Sequence, residues 1–260
     1  MEPEPITPTA PRPAGRTVFT QQWSHLTFIH WAVAPEVVAP FLPEGVVPDV
    51  FEGHSYVALV PFAMENIGLL GGPAVPYFGS FLETNVRLYG VDRSGRRGVV
   101  FSSLEAARLL TVAFTRVTTG LPYLWARMRM ERSDDLNGHT VRYTTRRRWP
   151  GPRGASSTVH VAIGDVIEPS PLEQFLTARW GVFLPDRRGR TRYWPNEHPA
   201  WPLRAATLLE LDDQLVAAAG FGDLAQQPPV SVLHSHGVSI RFGPRTAPDL
   251  RSVHTPVTNW

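Results

Sequence analysis

From about residue 25 to residue 242 the apolar positions fall mostly into short runs. Some alternate with polar residues and others are continuous, the two patterns expected of half-buried and fully buried strands. The stretch "HLTFIHWAV" (25–33) reads as a strand ending before Pro35, and "SYVALVPFAM" (55–64) is apolar enough to be buried on both faces. "FLETNVRLYGV" (81–91) alternates and puts Phe81, Glu83, Asn85, Arg87 and Tyr89 on one face. After the turn "RSGRRG" comes the strand "GVVFSSLEA". "LPYLWARMRMER", "HTVRYTTRRRW" and "STVHVAIGDVI" read as consecutive antiparallel strands, and "VSVLHSHGVSIRF" (230–242) closes the series.

The helical period is rarer. A short helix is predicted from Pro35, stopped by Pro43. "EAARLLTVAFTR" sets Leu109, Val112, Ala113 and Arg116 near one stripe. "SPLEQFLTARWGVF" (170–183) is the clearest helix, with Ser170 as cap, Pro171 in the first turn and Glu173 completing a capping box. Residues 203–219 fit strand and helix equally well. The first sixteen residues, "MEPEPITPTAPRPAGR", read as a disordered or extended tail. No repeat and no linker divides residues 17–260, so one domain is expected: a β-dominated α+β fold, closed or cone-like.

Composition narrows the chemistry. The 260 residues are 43% hydrophobic, enough for a sizeable core, and contain no run that reads as a membrane helix and no secretory leader. With no cysteine there is no disulfide framework, no thiolate nucleophile and no cysteine-based zinc site, which suits the cytoplasm. All 25 basic residues are arginine. Arginine stays protonated, so no side-chain amine is present to form a Schiff base. The arginine runs "TTRRRW" (144–149) and "DRRGRTR" (186–192) form no single basic stripe and lack interleaved aromatics, so they read as solvated charge and nucleic acid is not an expected partner. "GLLGGP" and "GPRG" match no phosphate-binding loop, and no G-x-S-x-G elbow occurs.

Two constellations remain. If the face of residues 81–89 points inward, Glu83, Asn85 and Arg87 enter an apolar interior and must pair with one another or with a ligand. Glu83 and Arg87 stand roughly 13 Å apart along the strand, too far for a close pair by themselves. In "VLHSHGV", His234 and His236 share a face with Val232, Val238, Ile240 and Phe242, so both imidazoles are expected to point inward. They suit a hydrogen-bonded pocket better than a metal. A third ligand would have to come from elsewhere, and His25 and His30, an odd number apart, face opposite ways on a regular strand.

Several stretches together resemble the uncharacterised bacterial YqjF-like family: "FIHWAVAPEVVAPFLPEG", "YVALVPFAM", "FLETNVRLY", "FTRVTTGLPYLWARM", "LEQFLTARWGVF" and "HPAWPL". That family is regarded as related to acetoacetate decarboxylase, which implies a cone-shaped, mainly antiparallel β-barrel with flanking helices. In the decarboxylase, the segment similar to "TRVTTGLPYL" carries a Schiff-base lysine. Here Arg116 and Pro122 keep the pattern, Tyr123 stands at the position of that lysine, and Leu124 replaces the lysine that follows it. The acidic strand of that enzyme resembles "FLETNVRLY", which carries Glu83 over. A second acid appears lost near Val60, and an arginine near Ser24.

The resemblance thus implies a retained cavity from which imine chemistry has been removed. The expected function is cofactor-independent acid/base chemistry, of lyase, dehydratase, isomerase or cyclase type, on a small carbonyl or carboxylate compound. Glu83 is the candidate base and Tyr123 the donor to a developing enolate, while Asn85, Arg87, Arg116, His234 and His236 are candidate substrate-binding residues, with no metal and no cofactor. The other readings are a non-catalytic small-molecule-binding protein using the same cavity and a metal-dependent enzyme built on His234 and His236. No membrane partner is expected, and a homo-oligomer is compatible with the sequence.

Overall fold

The structure, a computed structural model, describes residues 2–69, 72, 79–135, 138–186 and 188–246. Half of "GLLGGP" and the last fourteen residues of the expected domain lie outside the described residues. Twelve strands form one sheet: β1 (Phe19–Val33), β2 (Val46–Pro48), β3 (Ser55–Leu69), β4 (Phe81–Asp92), β5 (Arg97–Ala106), β6 (Tyr123–Asp135), β7 (Gly138–Trp149), β8 (Ser156–Val166), β9 (Gly181–Pro185), β10 (Thr191–Glu197), β11 (Leu203–Asp213) and β12 (Ser231–Phe242). Three α-helices accompany them: α1 (Pro35–Val38), α2 (Leu109–Thr119) and α3 (Pro171–Thr177). The strand-dominated, barrel-like fold expected from the sequence is the fold observed. No helix among the described residues is long and apolar enough to cross a membrane.

The strand pairings close two circuits. One runs β12–β1–β3–β4–β5–β9–β10 and returns to β12; the other leaves β5 through β6, β7, β8 and β11 to reach β12. Strands β12, β1, β3, β4 and β5 belong to both and form a shared wall. Pairing is antiparallel except where β5 meets β6 and β9. Because both faces of the wall are covered, its strands read as continuous apolar runs: residues 55–64 of β3 are all buried, and so is nearly all of β4. One face carries Phe28, Val60, Phe62, Phe81, Tyr89 and Leu104. The other carries Ile29, Trp31, Leu59, Val86 and Leu88, and packs on Val141, Val159 and Val161 of β7 and β8. Strands β7, β8 and β11 cover only one face and alternate buried with exposed positions.

Elsewhere the sequence reading needs adjustment. The predicted helix 170–183 stops at Thr177, and its last three residues belong to β9. Its capping box is present: Ser170 Oγ accepts from the Glu173 amide and Glu173 Oε2 accepts from the Ser170 amide. What overrides helical spacing is sheet pairing, with Val182 beside Val99 and Gly181 under the Tyr193 ring, where a Cβ would lie 2.2 Å from Cζ. The ambiguous stretch 203–219 is a strand to Asp213. The proline-rich residues 2–16 form no helix or strand, yet Ala14 is buried and Arg97 Nε donates to the Glu4 carbonyl. The "TTRRRW" run alternates as expected, with Arg146 and Arg148 exposed, but Arg147 is not solvated. It is buried in the second core and forks onto the fully buried Glu105 of β5, which also accepts from Ser103 Oγ.

That ion pair ties β5 to β7 across the second core, where an unpaired charge is expensive. Arg147→Met alone is expected to destabilise the protein by about 3–5 kcal/mol. Adding Glu105→Leu should recover most of that loss, measured as the midpoint shift in urea unfolding.

Candidate functional site

The interior of the first circuit holds a cavity of about 570 Å³, closed on one side by α2 and lined mainly by apolar side chains such as Phe19, Met64, Phe81, Leu104 and Trp194. Into it project Glu83 from β4 and Tyr123 from β6. The path to Tyr123 is set locally. Helix α2 ends at Gly120, whose left-handed conformation (φ 77°) caps it, the Gly120 amide donating to the Arg116 carbonyl. The chain then turns through Leu121 and Pro122, and β6 starts beside β5 with Tyr123 opposite Leu104. Arg116 Nη1 donates to the Tyr123 carbonyl at 2.6 Å. Arg116 thus fixes the turn that presents the phenol and does not line the cavity.

The Tyr123 hydroxyl donates to Glu83 Oε2 at 2.9 Å. Glu83 is 2% exposed, and no arginine pairs with it among the described residues. Burial pushes its carboxyl up to about 7, against the hydrogen bonds from Tyr123 and Asn85 that favour the anion; Glu105 adds a smaller upward push. Burial also drives the Tyr123 phenol well above its ordinary range, with Glu83 beside it adding to the effect. The phenol therefore stays a proton donor while the carboxyl titrates near neutrality.

Farther along the same face lies a second, narrower compartment with about 20 Å³ of free space, room for a water-sized group. Trp23, Phe101 and Val182 border both compartments. Its polar lining includes Asn85, Arg87, Arg179, Asn196 and His198. Arg87 donates to the Tyr89 hydroxyl and the Leu176 carbonyl and lies 5.2 Å over the Phe28 ring, with no carboxylate paired to it among the described residues. Arg179 and Arg97 share the buried Asp49. Two guanidiniums therefore share one carboxylate, and Arg87 lies against the same Tyr89 ring as Arg179. Among the described residues the buried donors Arg179 Nε and Nη2 have no partner, which favours an anion supplied from outside, while the buried and unpartnered acceptor Asn85 Oδ1 calls for a donor. Burial holds the His198 ring below its ordinary range.

The structure thus brings together Glu83, Tyr123, Asn85 and Arg87 from the predicted set. His234 and His236 go elsewhere. Gly237 (φ 122°) interrupts the alternation of β12, so Val238 and Ile240 face the first cavity while His234 lies fully buried on the other side of the wall, and His236 is exposed. Sequence reasoning missed Asp49, Arg97, Arg179 and His198. Arg179 was hidden by the helical spacing of 170–183, while His198 and Trp201 stand in the quoted "HPAWPL" stretch without a role.

A carboxyl whose pKa is raised by burial is neutral in both folded and unfolded chains at low pH. Its cost appears as pH rises from about 4.5, where the unfolded chain ionises, through about 7, where the folded one does. Glu83→Gln keeps an acceptor for Tyr123 but carries no charge. It should therefore be more stable than the parent at pH 8 by on the order of 3 kcal/mol, with no such gain at pH 4. Denaturant unfolding at the two pH values measures the difference.

Comparison with known proteins agrees with this architecture. The chain is 27% identical over 199 residues to the uncharacterized protein YqjF of Bacillus subtilis (strain 168), covering 75% of this chain and 78% of that one. It shares its fold with acetoacetate decarboxylase from Legionella pneumophila (TM-score 0.61, 17% identity, 93% of each chain). The same holds for the enduracididine biosynthesis enzyme MppR complexed with pyruvate (TM-score 0.59, 14% identity, 88% of this chain and 89% of that one). Residues 20–239 match the model of the family DUF2071, described as an uncharacterized conserved protein, and with nearly the whole barrel inside that match the chain belongs to the DUF2071 family.

Proposed function

We propose that the protein is a cofactor-independent acid/base enzyme acting on a small carbonyl compound that also bears a carboxylate. The observation that carries this reading is the buried Tyr123–Glu83 hydrogen bond at the wall of an apolar cavity, with the carboxyl poised near neutral pH. Ionised Glu83 removes a proton from carbon next to the substrate carbonyl. The C–H electron pair moves into the carbonyl, and the Tyr123 phenol, turning from Glu83 to the new oxyanion, donates a hydrogen bond to it. Glu83, now protonated, returns its proton to carbon or to a leaving group, which gives isomerase or lyase chemistry from one arrangement. Imine catalysis is excluded because the chain has no lysine.

Arg87 and Arg179 supply the carboxylate site, since both are buried and cationic, Arg87 is paired with no carboxylate among the described residues, and Arg179 keeps Nε and Nη2 unpartnered there. Along β4 the carboxylate site and the base are separated by Asn85, so acidic carbon and carboxylate lie several bonds apart in the substrate. The MppR relative in fold is recorded with pyruvate and with a condensation product of pyruvate and imidazole 4-carboxaldehyde, molecules of the same broad oxo-acid class.

Incubation with a panel of small oxo acids in deuterium oxide, followed by NMR, tests the reading. The parent protein is expected to exchange an acidic C–H of at least one member, with a rate rising with pH through about 7. Glu83→Gln should slow exchange by roughly 10²–10⁴-fold while still binding the compound. Unchanged exchange in that variant rejects Glu83 as base. Binding without exchange across the panel rejects catalysis in favour of a binding protein.

A second expectation concerns recognition. Arg179→Met should weaken binding of an oxo acid by about 10–100-fold but leave binding of its methyl ester unchanged, read by calorimetry. Equal losses for both would remove the carboxylate assignment.

A further inference from the structure

On the side of the wall away from Glu83, three imidazoles converge. His25 of β1 and His234 and His236 of β12 place one ring nitrogen each within 4.8 Å of the others. Their ring centroids are 5.8–6.4 Å apart. The convergence comes from irregularity in two neighbouring strands. Ser24 pairs with Gly237 and Leu26 with Ser235, so His25 and His236 stand opposite one another outside the ladder. His25 takes a left-handed φ of 50° and Gly237 one of 122°. At Gly237 a Cβ would lie 1.9 Å from the Trp23 carbonyl oxygen, so only glycine fits. The paired distortions re-aim two side chains toward a third, the service bulges perform beside functional sites.

A hydrogen-bond chain reaches the buried member. The Tyr143 hydroxyl donates to the His25 carbonyl, and Thr27 Oγ1 lies 3.3 Å from the Tyr143 oxygen. Thr27 can give its proton to Tyr143 or to His234 Nδ1, 3.2 Å away; in the first arrangement His234 Nδ1 is the donor to Thr27. His234 Nε2 then carries a lone pair, and this atom is buried with no partner. Orientation of one ring nitrogen by an outer hydrogen bond, leaving the other free, is how proteins prepare a histidine ligand.

We propose that His25, His234 and His236 form a binding site for a divalent zinc-like ion, with solvent completing a tetrahedral shell. Zinc–nitrogen bonds of about 2.0–2.1 Å bring ligand nitrogens to roughly 3.3 Å apart, a closure that the exposed His236 can supply by rotation. Glu65 and Asp134, whose fields reach His25, offset part of the ion's charge. One group opposes binding: Arg132, exposed, donates to His25 Nε2 at 2.9 Å and must withdraw if that nitrogen is to ligate. The site joins β1 to β12 and is independent of the chemistry assigned to Glu83.

The competing arginine gives the test two arms of opposite sign. Full-length protein treated with chelator is titrated with zinc chloride at pH 7.5 by calorimetry, with cobalt(II) absorption reporting geometry. One ion per chain with a tetrahedral cobalt spectrum is expected, together with a raised thermal midpoint. His236→Ala should lower affinity at least 100-fold, and Arg132→Gln should raise it several-fold. Both positions are exposed, so the metal-free variants should melt near the parent. No binding by the parent protein, or affinity unmoved in both variants, overturns the proposal.

Discussion

The structure depends on a wall of five strands that has no solvent face. Strands β12, β1, β3, β4 and β5 close two circuits at once, so apart from exposed positions such as Gln22, Asn66 and His236 their side chains are committed to one interior or the other. In such a wall an ionisable residue cannot be incidental, because its charged form loses water on either face. The alternation of β4 then works as a sorting device: Val86 and Leu88 go to one core, while Glu83, Asn85 and Arg87 go to the other with no surface to escape to.

The wall resolves its charges in three ways, and the differences separate structure from function. Glu105 meets Arg147 in a nearly dry core, where a closed pair with an added Ser103 hydroxyl leaves nothing for a ligand to do. Asp49 meets two arginines, with a third nearby, which leaves positive charge in excess and donors unused. Glu83 meets only neutral donors and faces open space. Burial acts on both glutamates in the same direction, but Arg147 opposes it at Glu105 where only a phenol and an amide do so at Glu83. An unpaired acid and under-satisfied cations on one interior surface form complementary halves of a polar ligand site.

Much of this was legible in the chain before its fold was known. The period-two pattern of 81–91 gave both the strand and the polar face, and the resemblance of "TRVTTGLPYL" to a Schiff-base segment marked Tyr123. The legible features were local, decided within one strand or one turn. Illegible features required contacts between distant segments. Arg179 and Asp49 are 130 residues apart, and nothing near either one announces the other. The histidines failed for a different reason: strict alternation was assumed through Gly237, where the backbone departs from it. The glycine was visible in "HSHGV", but its φ is imposed by the close approach of Trp23, a residue of the neighbouring strand.

A phenol at the head of β6, where the resemblance to acetoacetate decarboxylase implies an amine, suits the cavity to a different chemistry. An amine must lose its proton to attack carbonyl carbon, so a site built on it needs neighbouring positive charge to depress its pKa. A phenol is useful while it keeps its proton, and that requires the reverse, an apolar setting with a carboxylate beside it. Tyr123 has both, in the apolar cavity lining and in Glu83. The same burial that keeps the phenol protonated raises the carboxyl toward neutrality, so one desolvated volume sets donor and base together. Positive charge is held away from this pair, along β4 and at the start of β9, where it can grip an anion without pulling the carboxyl back down. Separation of the cationic compartment from the proton-transfer pair is therefore the feature on which the proposed acid/base chemistry rests.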